Sequence, residues 1–130
     1  MILTWQPIYS VNVVEIDEQH KKLFGILNNF FGVIDKEDKN IENILEELKK
    51  YAQYHFDTEE KYFKKFNYPE TENHIKMHQF YVEKIAEFEK RKSDEKISLE
   101  LRDFLKNWWL GYIQNADQKY SDFFNQKGLY

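Results

Sequence analysis

Four histidines and one glutamate occupy positions of the sequence where an amphipathic helix normally carries apolar side chains. His55 and Glu59 lie four residues apart, and His74 and His78 have the same spacing. Side chains at i and i+4 of a helix lie on one face about 6 Å apart, so each pair can converge on one metal ion or on two adjacent ions. His20 is in phase with the apolar stripe of its own segment. The pattern predicts a metal centre in a helical core.

Each position taken alone also has a purely structural explanation. A single histidine on an apolar face is more often a core residue with a satisfied hydrogen bond, and His55 with Glu59 could form a helix-surface ion pair. Burying a carboxylate and several imidazoles without partners, however, costs several kcal/mol for each group. All four histidines of the chain point into the same core, which favours a shared metal site over independent core histidines.

The spacing also indicates how the ligands can be divided between two ions. His74 and His78 can bind one ion, His55 and His20 can bind the other, and the carboxylate of Glu59 can bridge them. The chain has no cysteine, which excludes zinc-thiolate sites, iron–sulfur clusters and disulfides. A mixed imidazole and carboxylate set suits iron or manganese better than copper, and it offers more donors than one tetrahedral zinc ion needs.

Four segments with apolar or ligand residues at steps of three and four must position these side chains, and such steps are typical of helices with one buried face. We predict helices over residues 17–35, 40–66, 69–91 and 98–115. Asn40 is expected to cap the second helix, with Asn43 as its partner. Residues 1–16 are expected to form an extended arm, and the tail over residues 117–130 is expected to add a short helix.

The linkers between the predicted helices, residues 36–39, 67–68 and 92–96, are short and polar. Short connections between long helices make neighbouring helices antiparallel. The sequence therefore predicts the all-α class, as an up-down-up-down four-helix bundle with an N-terminal extended arm and a short C-terminal helix. One domain is expected over residues 1–130.

Charge and hydropathy exclude several classes of partner. The net charge of −4 argues against a nucleic-acid binder held by phosphate contacts. The longest uncharged apolar stretch, residues 23–34, is shorter than the roughly 20 residues that span a membrane. Residues 1–14 lack the basic start of an export signal. We therefore expect no nucleic-acid or membrane partner, a cytoplasmic location and a monomer.

Four sequence motifs resemble those of the bacterial hemerythrins: IDEQHKKL at residues 16–23, HFDTEE at 55–60, HIKMH at 74–78 and DQKY at 117–120. Trp5 and Tyr9 in the arm also fit, so the resemblance spans nearly the whole chain. It implies a non-haem di-iron centre, in which an oxo or hydroxo bridge joins two iron ions and one iron binds dioxygen reversibly.

The resemblance also implies a role for each ligand position. It places His74 and His78 on the more saturated iron. It places His20 and His55 on the iron with an open dioxygen position. Glu59 and Asp117 would be the bridging carboxylates. Periodicity alone does not find Asp117, because it follows the seam position Ala116 by one residue. A π-bulge or a helix end would be needed to turn its carboxylate into the core.

The chain departs from the family pattern at Tyr112, where the family usually has a fifth histidine five residues before the bridging aspartate. Three interpretations remain open: the phenol binds iron as phenolate, it fills space while water completes the site, or the site is inactive. The first is favoured because Tyr112 is in phase with the core seam. A ferric ion can also lower the pKa of a phenol below its usual value of about 10.

Phenolate ligation would stabilise ferric iron, because an anionic oxygen donor cancels more positive charge than imidazole does, and reversible dioxygen carriage would then be impaired. Trp109 has the same expected consequence, since it replaces a smaller leucine that usually lines the dioxygen pocket and could crowd it. Trp108 and Ile113 match the family's usual aromatic and aliphatic neighbours of this pocket.

The favoured function is a binding protein that carries, stores or senses dioxygen, rather than an enzyme. Two alternatives remain open. One is a ferric-stabilised di-iron redox protein that acts on peroxide, nitric oxide or a phosphoester, and the other is a bundle that only holds iron. Trp109 and Tyr112 are the residues that keep these alternatives open.

Overall fold

The computed structural model describes residues 2–34, 40–91 and 96–130, and within these ranges it contains helices and no strand. The elements are a 3₁₀ turn over Pro7–Tyr9, α1 over Val14–Val33, α2 over Ile41–Phe66, α3 over Thr71–Lys90, α4 over Ile97–Gly111, a π-helical segment over Tyr112–Ala116 and α5 over Gln118–Gln126. The predicted all-α four-helix bundle is confirmed, and α5 is the expected short C-terminal helix. No helix in the described ranges is both long and apolar enough to cross a membrane.

Helix α2 has the boundaries that the sequence predicts. Asn40 caps its first turn, because the side-chain oxygen accepts a hydrogen bond from the backbone N–H of Asn43 at 3.0 Å. The helix ends at Asn67, which adopts the left-handed conformation with φ 55° and ψ 51°. The backbone N–H groups of Asn67 and Tyr68 both donate to the carbonyl of Phe63. This compact ending lets the chain reverse direction before α3.

The start of α1 differs from the prediction, since the helix begins at Val14 rather than at residue 17. Asp17 does not cap the helix but ties the arm to its first turn. Its carboxylate accepts hydrogen bonds from the backbone N–H of Val11 at 2.8 Å and from the hydroxyl of Ser10 at 2.5 Å. The arm is also not fully extended, because Pro7–Tyr9 forms a 3₁₀ turn.

Two other helix starts shift by one or two residues. Helix α3 begins at Thr71 rather than at residue 69. The hydroxyl and the backbone N–H of Thr71 both donate to the carbonyl of Tyr68, at 2.6 and 3.2 Å, and this keeps Pro69 in the preceding turn. Helix α4 begins at Ile97. The predicted end of the first helix at Asp35, the linker 36–39 and residues 92–95 lie outside the described residues.

Two apolar clusters form the interior of the bundle. The larger cluster involves α1 to α4 and contains side chains such as Leu27, Leu48, Ile85, Leu101 and Trp109. The smaller cluster joins the arm to α2 and α5 and contains side chains such as Val11, Ile16, Phe63, Tyr120 and Phe124. The predicted metal ligands lie between them, since the ring of His74 packs against Phe63 and Tyr120 on one side and against Tyr112 on the other.

Replacing Asn67 by alanine should lower the free energy of unfolding by about 1–2 kcal/mol, because a residue with an ordinary Cβ is strained in the left-handed conformation. Asn67→Gly should leave the stability unchanged or raise it, since glycine adopts positive φ without this strain. Urea unfolding of the two variants measures the difference. Equal destabilisation by both substitutions would contradict a conformational role for Asn67.

Candidate metal centre

The residues predicted as ligands come together in one buried cluster. Helix α1 supplies one histidine, α2 a histidine and a glutamate, α3 two histidines, and the π-helical segment with the residue after it supplies a tyrosine and an aspartate. Each of these residues is at most 4% exposed. The members are His20, His55, Glu59, His74, His78, Tyr112 and Asp117.

At one end of the cluster, which we call the His20 end, two imidazoles and two carboxylates converge. The Nε2 atoms of His20 and His55 are 3.0 Å apart. Nε2 of His20 lies 2.9 Å from Oδ2 of Asp117, and Nε2 of His55 lies 3.4 Å from Oε1 of Glu59. Four potential donor atoms therefore face one small volume.

At the other end, which we call the Tyr112 end, the phenol lies between two imidazoles. The hydroxyl oxygen of Tyr112 is 2.9 Å from Nε2 of His74 and 2.5 Å from Nε2 of His78. The hydroxyl donates a hydrogen bond to Oε1 of Glu59, and Nε2 of His78 lies 3.1 Å from the same oxygen. The phenol oxygen thus lies where a third protein donor would complete the pair of histidines.

Both carboxylates extend from one end of the cluster to the other. Oε1 of Glu59 is in reach of His55 and His78, and its Oε2 accepts a hydrogen bond from the hydroxyl of Tyr120 at 2.6 Å. Asp117 places Oδ2 next to His20 and Oδ1 3.0 Å from Nε2 of His74. Each carboxylate therefore has the placement that a bridge between two ions requires.

The π-helical segment Tyr112–Ala116 explains how Asp117 reaches the core. The backbone N–H of Asp117 donates to the carbonyl of Tyr112 at 2.9 Å, which is a bond to the fifth preceding residue. The α-helical part of the predicted fourth helix therefore ends at Gly111, and the wider turn after it rotates Asp117 into full burial. Of the two routes expected for Asp117, a π-bulge or a helix end, the structure shows the π-helical one.

The charges of the cluster are set by burial and by mutual contacts. Burial lowers the pKa of His20 and of His55 to about 4, so both imidazoles are neutral at neutral pH. Burial also acts to lower the pKa of His74, but its contacts with the carboxylates of Asp117 and Glu59 raise it to about 10. In the metal-free protein the proton on His74 therefore balances the buried acids, and a bound cation would take over that role and release the proton.

The two acids respond differently to the same environment. Burial acts to raise the pKa of Glu59, but the electrostatic interaction with His55 and the contacts with the histidines of α3 outweigh it and hold this pKa well below its usual range. Burial, and then the negative charge of Glu59, raise the pKa of Asp117. One carboxylate thus remains charged in the core, and the second is costly to ionise until more positive charge is present.

The cluster fits a metal ion better than it fits a closed hydrogen-bond network. Both oxygens of Asp117 are buried and lack a hydrogen-bond partner among the described residues, although imidazole nitrogens lie 2.9 and 3.0 Å away. Ligand atoms of His20, His55, Glu59 and Asp117 lie within 4.8 Å of one another, and so do those of Glu59, His74 and His78. Buried polar groups in this state are satisfied when a cation lies between them.

Comparison with known proteins agrees with this geometry. Residues 11–123 match the family described as Hemerythrin HHE cation binding domain. The chain belongs to the hemerythrin family. It is 31% identical to a bacteriohemerythrin of Clostridium acetobutylicum, over 93% of this chain and 100% of that protein. It is 30% identical to a bacteriohemerythrin of Pseudomonas aeruginosa, over 92% of this chain and 80% of that protein.

Further relatives support the family and the fold. A hemerythrin-like protein of Naegleria gruberi is 30% identical over 89% of this chain and 88% of that protein. The solved structure of a wild-type hemerythrin superposes with a TM-score of 0.82 at 24% identity, and the match covers 94% of this chain and 97% of that one. At this identity the solved structure shows the shared four-helix fold alone.

The residues expected to line a dioxygen pocket pack against the rings of the cluster. Trp109 is fully buried, and its ring centroid is 6.2 Å from that of His55 and 5.6 Å from that of Tyr112. Trp108 stacks on Tyr112, with the ring centroids 4.6 Å apart. Ile113 is fully buried in the π-helical segment. Trp109 is thus the large side chain that reaches His55, and it borders both ends of the cluster.

Sequence reasoning missed three residues that contact the predicted ligands from outside. Tyr120 donates to Glu59, Gln19 contacts the outer nitrogen of His55, and Glu60 contacts the outer nitrogen of a histidine of α3. Each lies within one of the motifs quoted above. In the sequence they are marked by their nearness to a predicted ligand. Helical periodicity does not distinguish residues that contact a ligand from outside.

Replacing Tyr120 by phenylalanine should destabilise the metal-free protein by about 1.5–3 kcal/mol, because a buried carboxylate oxygen of Glu59 loses its donor. Tyr62→Phe is the matched control, since its hydroxyl bonds to Glu15 in an exposed setting and its loss should change the stability by about 0.5 kcal/mol or less. Urea unfolding of metal-free samples gives both values. Equal effects would contradict the importance of the Tyr120 hydrogen bond.

Proposed function

We propose that this hemerythrin is a non-haem di-iron protein that binds dioxygen or another small diatomic ligand. The observation that carries the proposal is the presence of two ligand groups that share Glu59, with ligand atoms in each group within 4.8 Å of one another. The donor set of imidazole and carboxylate suits iron. The similarity to proteins named bacteriohemerythrin supports this choice of metal.

In this proposal each end of the cluster would hold one iron ion. His20 and His55 would hold one ion, His74 and His78 the other, and the carboxylates of Glu59 and Asp117 would be shared by both. The iron pair would supply a position for a small ligand and the electrons that reversible dioxygen binding requires. The neutral state of the His20 and His55 imidazoles leaves their nitrogen lone pairs available as donors near neutral pH.

Tyr112 is proposed to complete the Tyr112 end as a phenolate. Burial raises the pKa of its phenol well above the usual value, so without metal the hydroxyl keeps its proton and donates to Glu59. A ferric ion beside the oxygen reverses this preference, because its charge favours the anion. An anionic oxygen stabilises ferric over ferrous iron, and we therefore expect the resting state to be oxidised and dioxygen carriage to be weakly reversible.

Trp109 and Ile113 are proposed to shape the ligand pocket beside the His20 end. Both side chains are fully buried, and the indole of Trp109 packs near His55. A large ring at this position would favour diatomic molecules or peroxide over larger substrates.

The second candidate function is a ferric-stabilised redox protein that acts on peroxide or nitric oxide. The position of the Tyr112 hydroxyl, 2.9 and 2.5 Å from the two imidazole nitrogens of α3, favours it. A protein that only holds iron is distinguished from both candidates by a spectrum that does not respond to added dioxygen, nitric oxide or peroxide.

Reconstitution with ferrous iron without oxygen should load about two iron atoms per chain, as in other di-iron bundles. After oxidation, a phenolate-to-ferric charge-transfer band should be present, and Tyr112→Phe should abolish it. Tyr81→Phe is the control, since Tyr81 is equally buried but belongs to neither ligand group. An unchanged band in Tyr112→Phe would exclude ligation by Tyr112, and a clearly lower iron content in the parent protein would exclude the di-iron assignment.

Replacing Trp109 by leucine should speed ligand binding at the His20 end, because it removes the ring beside His55. The same substitution should cost about 2–4 kcal/mol of stability through the cavity that it leaves. Combined with Tyr112→His, it should shift the protein from irreversible oxidation by air toward reversible dioxygen binding, which stopped-flow absorption can follow. Trp108→Leu removes a ring at the other end, and an equal acceleration in that variant would contradict the proposed pocket.

A further inference from the structure

The outer nitrogens of two proposed iron ligands have chemically different partners. Nδ1 of His78 lies 2.7 Å from Oε2 of Glu60, and Nδ1 of His55 lies 2.7 Å from Oε1 of Gln19. Both partners are oxygen acceptors, so each Nδ1 can donate to its partner, and Nε2 is the ring nitrogen that faces the cluster and would face a metal ion. One histidine is therefore supported by a carboxylate and the other by a neutral amide.

The orientation of the Gln19 amide follows from its own hydrogen bonds. Its Nε2 donates to the hydroxyl of Thr58 at 3.0 Å, and that hydroxyl donates its single proton to the carbonyl of Tyr54 at 3.1 Å. Thr58 can therefore only accept from Gln19, which leaves the amide oxygen to face His55. The backbone carbonyl of Gln19 is also held, by the hydroxyl of Tyr51 at 2.9 Å. The neutral partner is thus fixed on several sides.

Glu60 lies outside the cluster and is only partly buried. Its side chain is 34% exposed, and it lines a cleft of about 550 Å³ between α2 and α3 together with Phe56 and His78. The ring of Phe56 stacks on that of His78 at a centroid distance of 3.9 Å, which fixes the imidazole plane toward Glu60. A hydrogen bond from imidazole to a carboxylate is stronger than one to an amide, and it makes the imidazole a better donor to metal.

The partner of the outer nitrogen and the phenol oxygen therefore both place more negative charge at the Tyr112 end than at the His20 end. The Tyr112 end has the Glu60 carboxylate behind His78 and a phenol oxygen between its histidines. The carboxylates of Glu59 and Asp117 reach both ends and therefore do not distinguish them. Apart from these, the His20 end has two imidazoles and the amide of Gln19. More negative donors stabilise the higher oxidation state, so an electron added to an oxidised pair should go to the His20 end.

We propose that Glu60 and Gln19 are positioning residues that make the two iron sites unequal, with ferric iron favoured at the Tyr112 end and ferrous iron at the His20 end. This inference rests on the proposed di-iron function and deepens it. In a half-reduced pair, the one remaining electron would then lie on the ion with the free coordination position, and the other ion would stay ferric.

The test compares Glu60→Gln with Asp57→Asn in the iron-loaded protein. Asp57 is exposed on the same helix and bonds to Gln53, so the control removes the same charge without contact to a ligand. Glu60→Gln should keep the iron content but weaken ferric binding by roughly tenfold relative to ferrous binding. The reduction potential should rise, and the phenolate-to-ferric band should move to longer wavelength. Asp57→Asn should change neither.

A second variant and a metal-free measurement complete the test. Gln19→Glu should lower the reduction potential of the other iron, so that Mössbauer spectra of half-reduced samples show a less complete separation of ferric and ferrous sites. Nitrogen-15 NMR of the metal-free protein should show His55 and His78 protonated at Nδ1, which tests the hydrogen bonds without iron. A merely structural role of Glu60 would lower the melting temperature and leave the potential unchanged.

The outcomes separate this inference from the proposed function. If the parent protein binds two irons per chain and Glu60→Gln has the same reduction potentials as the parent, the inference alone is overturned. Equal effects of Glu60→Gln and Asp57→Asn would do the same, because they would reduce the role of Glu60 to overall charge. A parent protein that binds no iron would overturn the proposed function and the inference with it, even if the NMR measurement finds the expected protonation at Nδ1.

Discussion

The charge of Glu59 in the centre of the bundle is the constraint on which the rest of the site depends. The side chain is fully buried, and a carboxylate without partners in such a place would cost several kcal/mol. Its two oxygens are therefore shared among the histidines of α2 and α3, Tyr112 and Tyr120. These contacts require helices α2 to α5 to meet at one level, so the arrangement of the bundle and the charge of the site cannot be separated.

The π-helical segment is the local departure from regular structure that makes this meeting possible. A continuous α-helix after Gly111 would leave Asp117 one position out of phase with the core, and the described bond from Asp117 to the carbonyl of Tyr112 corrects the phase. The same wider turn is followed at once by α5, which brings Tyr120 to Glu59. One irregular turn thus delivers both a proposed bridging ligand and the residue that satisfies the other carboxylate.

The predictable part of this protein was the part that repeats at helical intervals. The stripe of α2, from Ile41 through His55 and Glu59, predicted the correct helix and its buried face, because buried side chains recur at a fixed angular interval around a helix. Residues that act through the backbone or from a second layer were harder. Val14 begins α1 because Asp17 bonds to the arm, and that bond has no periodic signal. Asp117 needed the family resemblance, because only a change of hydrogen-bond pattern brings it inward.

The outer contacts of the histidines were not predictable for a related reason. Glutamine, as at Gln19, and glutamate, as at Glu60, are both good helix formers, so the choice between them beside a ligand has little effect on helix formation. Their effect lies in the charge behind the imidazole, which becomes visible only when the neighbours of each Nδ1 are known. The substitution of tyrosine at position 112 and the carboxylate of Glu60 add negative charge at the same end of the cluster. Family membership thus accounts for the common bundle, while in the proposed di-iron site the local charge of this chain would determine which end best holds an oxidised ion.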